Sequence, residues 1–257
     1  MYSQVKMRGR NMKKYEILKN DTKVVDGVTV YRIVALKDFV DVEAGDKGGY
    51  IESESCLEQE GTCWVYNDAV ILGKSNLEQS ARVYGKSVVK GHCYLTGDCL
   101  IFDNAVLDGS ILVADNAEIY GNTVIKGRAI IGNDARIEGD TLIEGDYDFD
   151  DVLTIAGTVN IKGEGNQLKG HFQIRDNSVI IGGARINKRQ DIRQLTGVLD
   201  NDGSITVYRT EDGVKSICRG LEYHHFIEIS SSYWESLKFD GKESVEAMAT
   251  MLKAFFW

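Results

Sequence analysis

Every sixth position from Val65 to Ile143 holds a branched aliphatic side chain: Val65, Ile71, Leu77, Val83, Val89, Leu95, Ile101, Leu107, Val113, Ile119, Ile125, Ile131, Ile137 and Ile143. The fifth position of most hexads is small, as at Ala69, Ser75, Ala81, Cys93, Cys99 and Ala117. The third is commonly Gly, Asn or Asp, as at Asn67, Gly73, Asp103, Gly127 and Asn133. A six-residue step on a helix of roughly 3.6 residues per turn would spread the aliphatics over every face, so the pattern excludes a helix. A short strand followed by a sharp corner satisfies it. The fifth and first positions, two apart on a strand, then face inward, while the sixth and second face out. Gly, Asn and Asp suit corners that need positive φ. Three corners per coil would repeat outward features every 18 residues, and Tyr66, Tyr84, Phe102 and Tyr120 have that spacing, as do Val70, Val88, Val106, Val124 and Leu142. The two nested periods predict a mainly β, parallel solenoid of about seven coils.

The frame weakens after Asp148. It persists at Phe149, Ile155 and Ile161, then resumes one residue out of phase at Leu168, Ile174, Ile180, Ile186 and Ile192. Counting that single extra residue puts His92 and His171, both at fourth positions, on different corners. Four regions are expected. Residues 1–12 form an unstructured leader in which Met1, Met7 and Met12 could each start the chain. Residues 13–64 form a β cap, with a hairpin turn at Asp26-Gly27 and another turn at Asp46-Lys-Gly-Gly49. Residues 65–193 form the solenoid. Residues 194–257 form a β-meander, with turns at 201–203 and 211–213, followed by helices over 230–239 and 244–256.

Aliphatic first and small fifth, the hexads resemble those of the single-stranded left-handed parallel β-helices, the trimeric LpxA-like superfamily. The lead-in Lys37-Asp-Phe-Val-Asp-Val-Glu-Ala-Gly-Asp-Lys-Gly-Gly-Tyr50 and Cys63-Trp-Val-Tyr-Asn-Asp-Ala69 resemble the YdcK-like, prophage-type branch. The resemblance covers residues 13 to 192. It implies a left-handed coil, a habit of trimerisation, and kinship with acyltransferases, carbonic anhydrases and inert scaffolds alike. Acyltransferases of this kind use a His base, commonly on a loop thrown out of a coil, and a CoA-type donor between subunits. The association of the branch with prophages implies a phage-encoded accessory factor in a host cytoplasm.

Charge changes the picture in one respect. A net charge of −9 with acidic and basic residues interleaved lacks the basic stripe of a nucleic-acid binder. No apolar run approaches a membrane span, and no apolar segment follows Lys6, Arg8 and Arg10 to make a secretory signal. The five cysteines have no metal spacing, and Cys93 and Cys99 sit at inward positions as core-filling thiols of a reducing compartment. Zero prolines suits a ladder that uses every backbone N–H.

Candidate chemistry is sparse. His92 and His171 are the weak candidates for an acyl-transfer base, and no long excursion loop is evident to cover a donor. A carbonic-anhydrase-like site needs three histidines, and the adjacent His224 and His225 diverge in either a strand or a helix. Asp146, Asp148, Asp150 and Asp151 lack the spacing of a calcium loop, so neither metal nor cofactor is expected. The outward columns are richer: Tyr66, Tyr84, Phe102 and Tyr120 on one face, interleaved with Arg82 and Glu118, and Tyr94, Leu112 and Ile130 on another, beside small Thr96, Ala114 and Gly132. These are the candidate binding surface. The resulting expectation is a non-catalytic binding or scaffold protein, a dimer or trimer of itself, that captures a host protein or ligand, for instance as an inhibitor of antiphage defence. A hexapeptide acyltransferase and a structural virion component are the alternatives.

Overall fold

The computed structural model describes residues 13–145, 153–196 and 204–228, apart from 158, 171, 176, 177, 188, 212 and 220–225. The expected leader, the two C-terminal helices, the Asn201-Asp-Gly203 turn, His171, His224, His225 and the Asp146–Asp151 cluster lie outside those residues.

A three-faced parallel β-solenoid forms the body. Its third face is a seven-stranded ladder running from Trp64–Val65 to Val179–Ile181. Every first-position aliphatic from Val65 to Ile143 is completely buried, and the small fifth-position residues are buried with them, Cys93 and Cys99 included. Corners turn where the third residue adopts positive φ, at Asn67 (54°), Asp103 (61°), Asp115 (59°) and Asn133 (54°). Asn and Asp tolerate that region because their short polar side chains bond locally. Asn67 Oδ1 accepts from Gly85 N one coil on, and Asp103 Oδ2 accepts from Gly121 N in the same way.

The column Gly91, Gly109 and Gly127 is of another kind. There the coils touch backbone to backbone more closely than at the other corners: a Cβ on Gly109 would lie 2.8 Å from Gly127 N and closer still to its O, and one on Gly127 would lie closest to Gly145 O. Only glycine lets successive rungs approach so closely. Two strands, Val106–Val113 and Val124–Ile131, run straight through this corner and join the first face to the second.

Register shows where the frame changes. Steps of 18 hold through Val113↔Ile131, but Ile131 pairs with Ile155, six residues further than that step. The extra hexad lies between Gly145 and Leu153, and one more residue enters where the register slips between Asp140↔Glu164 and Thr141↔Asn166. The count of one inserted residue is therefore corrected to seven. A six-residue insertion leaves the hexad frame intact, which is why the sequence pattern conceals it.

The head is built from β1 (Tyr15–Val25), β2 (Val28–Ala35) and β3 (Lys47–Ile51). As expected, Asp26-Gly27 closes the β1–β2 hairpin, with φ of 49° and 80° and Val25 opposite Val28. These signs are those of the two-residue turn that matches strand twist. β3 pairs antiparallel with β2 and parallel with Val70–Ile71, so the head continues the solenoid's first face. Of the expected turn at Asp46-Lys-Gly-Gly49, Lys47, Gly48 and Gly49 instead belong to β3, while Asp46 N bonds Glu43 O at 3.0 Å in the turn before it. Its glycines serve close packing: a Cβ on Gly48 would meet Ile33, Trp64 and Val65 O at 2.6–2.7 Å. Under the head, Trp64 packs edge-on against Tyr15 and Phe39. Tyr15 Oη donates to Leu57 O at 2.7 Å.

At the other end an antiparallel sheet of Ile192–Thr196, Ser204–Thr210, Gly213–Arg219 and Phe226–Glu228 closes the coil. Thr206 Oγ1 accepts from Val179 N at 2.9 Å, and Tyr208 Oη accepts from Ile181 N at 2.8 Å while donating to Ile181 O at 3.1 Å. Side chains thus replace the rung that would have come next.

Candidate functional site

Three outward faces are available, and the structure uses them differently. On the first, the β1–β2 hairpin folds down over the solenoid: Val30, Tyr50, Val70 and Leu72 form a separate buried cluster with Val25, Val28 and Val88 against it. Asp26, at the hairpin tip, pairs with Lys90 Nζ at 2.5 Å, and Lys90 also reaches Asp108 at 3.3 Å. Arg32 lies over the Tyr50 ring at 4.2 Å and bonds Asn67 O at 2.8 Å. This face is partly occupied by the chain itself.

The second face carries Tyr94, Leu112 and Ile130 in register on successive rungs. Tyr94 is 39% and Ile130 38% exposed, and Leu112 is half-buried. The parallel column Thr96, Ala114 and Gly132 is small, so the aromatic and aliphatic ridge stands beside a shallow trough. Tyr94 Oη hydrogen-bonds Glu78, and this bond holds the phenol above its ordinary pKa.

The third face carries the aromatic column. It is two stacked pairs, with Tyr66 on Tyr84 at 4.2 Å and Phe102 on Tyr120 at 4.4 Å. Offset or parallel stacking at such separations adds about 0.5–1.5 kcal/mol per pair to burial. Tyr66 Oη donates to Asp41 Oδ1 at 2.7 Å, and burial, then that carboxylate, push its pKa up. Beside the column Glu118 holds Arg136 at 3.3 Å. Arg82 has no such partner among the described residues, and its Nε is buried without an acceptor. Its guanidinium stands in the column of Leu100, Glu118 and Arg136, beside the aromatic one. Arg and Tyr are the residue types that dominate binding hot spots.

His92 is exposed, at the glycine corner, and its backbone N–H donates to Gly109 O at 2.7 Å. Its ring has no hydrogen-bonding partner among the described residues. Lys169 registers with Glu144, and up the same ladder with Lys126, Asp108 and Lys90, while His171 itself lies outside the described residues. An open groove of about 680 Å³ beside the head, lined by Lys13, Glu16, Ile17, Lys19, Tyr31 and Glu54, mixes both charges, and the Lys13–Glu54 pair at 2.9 Å neutralises part of it. No described helix is long and apolar enough to cross a membrane.

No protein-family model matches the chain. Over 70 residues, 27% of this chain, it is 41% identical to the uncharacterized acetyltransferase YdcK of Escherichia coli (strain K12). The segment and the solenoid together fit a β-helix family. The match spans 22% of that protein's length, so likeness is established for a segment and not for a whole molecule.

Proposed function

We propose that this protein is a binding or scaffold protein that engages its partner through the second and third solenoid faces and assembles with copies of itself. The ridge of Tyr94, Leu112 and Ile130 carries this assignment, because its side chains, exposed at Tyr94 and Ile130, line up on consecutive rungs beside a row of small residues. A rigid ladder fixes such a surface in advance and so lowers the ordering cost of binding. Native mass spectrometry of the purified protein, alone and after incubation in bacterial lysate, tests it. An oligomer or a stoichiometric complex that disappears in Ile130→Asp supports the assignment. An unchanged monomer with no retained partner refutes it. Capture of a host protein by a phage-encoded inhibitor is the narrower version, and it rests on the resemblance to prophage-type relatives. A partner that counts among antiphage factors is its requirement.

Acyl transfer is the second reading, favoured by the YdcK-like segment and by an exposed histidine at a glycine-lined corner. CoA would then raise the melting temperature of the protein, and His92→Ala would abolish acyl transfer from acetyl-CoA to an amine acceptor. Absence of any CoA-dependent shift removes this reading while leaving the first untouched.

A further inference from the structure

Lysine is almost never fully buried unless it is paired with a carboxylate. Lys14 is the exception in this fold. It is completely buried, at the mouth of the first coil, and no carboxylate lies within ion-pairing distance among the described residues. Its ammonium nitrogen is held by Glu60 O at 2.9 Å and Cys63 O at 3.0 Å, and its third neighbour is the Cys63 sulfur at 3.2 Å. Cys63 is also completely buried, with Leu77 O at 3.5 Å and Glu58 O at 3.8 Å as its other close acceptors. An amine and a thiol are thus fixed in contact, shielded from water, on two segments 49 residues apart.

We propose that Lys14 and Cys63 form a redox-responsive covalent bridge, a sulfenamide, that fastens the head to the first coil. A small hydroperoxide is the oxidant. It converts the Cys63 thiol to a sulfenic acid and is itself reduced, releasing water in the case of hydrogen peroxide. The Lys14 amine then attacks the sulfur. The N–S bond forms, the S–O bond breaks, and the departing hydroxide leaves as water with a proton from the nitrogen. The sulfur has been oxidised by two electrons, and the protein has lost two hydrogens. Condensation of a sulfenic acid with a nitrogen is established chemistry for protein thiols. A thiol reductant restores both residues by attack at sulfur.

The surroundings favour the second step. Burial lowers the pKa of Lys14, which raises the share of neutral, nucleophilic amine. Burial likewise raises that of Cys63, with Lys14 opposing the shift, so the first step is slow and draws on the thiolate that the adjacent ammonium stabilises. Lys13, Glu60 and Gly61 on either side are exposed while Lys14 and Cys63 are completely buried, so the pair lies one layer below the surface and peroxide reaches it only when that layer opens. The other interior thiols provide a contrast. Cys93 faces the carbonyls of Lys90 and Gly109 and has no amine beside it.

The experiment is tryptic peptide mapping by mass spectrometry of the full chain after hydrogen peroxide treatment, with and without dithiothreitol. The expected product is a peptide pair joined between Lys14 and Cys63, lighter by two hydrogens than its parts. Cleavage after Lys14 should be lost, and dithiothreitol should restore it. Lys14→Arg keeps the charge and the donors but not the nucleophile, and in that variant Cys63 should instead accumulate added oxygen. Circular dichroism confirms that the variant is folded. Two outcomes overturn the bridge. One is oxygen added to Cys63 in the wild type beside an unmodified, cleavable Lys14. The other is a Cys63 that stays reduced after the methionines of the chain have oxidised.

Discussion

Substituting alanine for Gly127 isolates the cost of a backbone-to-backbone corner. Gly127 has φ of 78° and Gly27, at the hairpin tip, has φ of 80°, so alanine meets the same left-handed strain at both, about 1–2 kcal/mol. At Gly27 nothing lies within 4 Å of the new Cβ. At Gly127 that Cβ would lie 2.8 Å from Gly145 C and closer still to its oxygen, where ordinary contact begins at 3.4 Å. The rungs must part there, and the bond from Gly145 N to Lys126 O, 2.9 Å long, is stretched or lost. Leaving a buried amide unpaired costs about 1–3 kcal/mol, so Gly127→Ala should destabilise by about 2–5 kcal/mol and Gly27→Ala by about 1–2 kcal/mol. Urea titration followed by far-ultraviolet circular dichroism measures both. Equal losses, within about 0.5 kcal/mol, would refute the claim that coil contact rather than φ demands glycine at this corner.

Three further outcomes are expected. Val40 holds φ of 49° while 66% exposed, a costly conformation for a β-branched residue, so Val40→Asn should stabilise by about 1 kcal/mol in a thermal melt. Tyr208→Phe removes the acceptor of Ile181 N and should speed amide exchange at Ile181 while leaving Ile101 and Ile119 protected; uniform acceleration along the rod would contradict the capping role. Burial pushes the Cys99 thiol from 9.0 up to about 12 and Cys93 up to about 11. Because the folded values are raised, the unfolded chain releases these protons first. Their contribution is intact below pH 9.0 and is lost as pH climbs toward about 11–12, at about 1.4 kcal/mol per pH unit for each thiol. Cys99→Ala should flatten that decline in urea midpoints measured from about pH 8 to about pH 11.

The solenoid was legible because inward positions repeat with the backbone itself: a wrong frame would bury Lys90 or Lys126 in place of Val89 or Ile125. The hairpin tip at Asp26-Gly27 was legible for a similar reason, since few residue pairs supply two positive φ values. Other features left no trace in the pattern. An insertion of one whole hexad preserves the alternation of inward and outward residues, so only the register of the flanking strands reveals it. Gly48 and Gly49 carry turn chemistry, yet tertiary packing under Trp64 is what requires them. The valines outside the first face resemble any strand-favouring residues, and only the fold shows that β1 and β2 cover part of them. Of the candidate surface, the column positions were readable from spacing. The pairing that leaves Arg82 uncommitted while Arg136 is matched depends on side-chain geometry. Lys14, one residue from the start of the described chain, gave no signal at all.

Both ends of the rod are closed, by the head above Trp64 and by Thr206 and Tyr208 below Val179 and Ile181. In polymer terms each rung is a template and each cap is a terminator. A parallel coil with a bare terminal rung could recruit the end of another molecule and grow head to tail without limit, because such an addition repeats the same contact. The two caps stop such growth at about seven rungs, so a contact between copies would have to be made along the sides and not end to end.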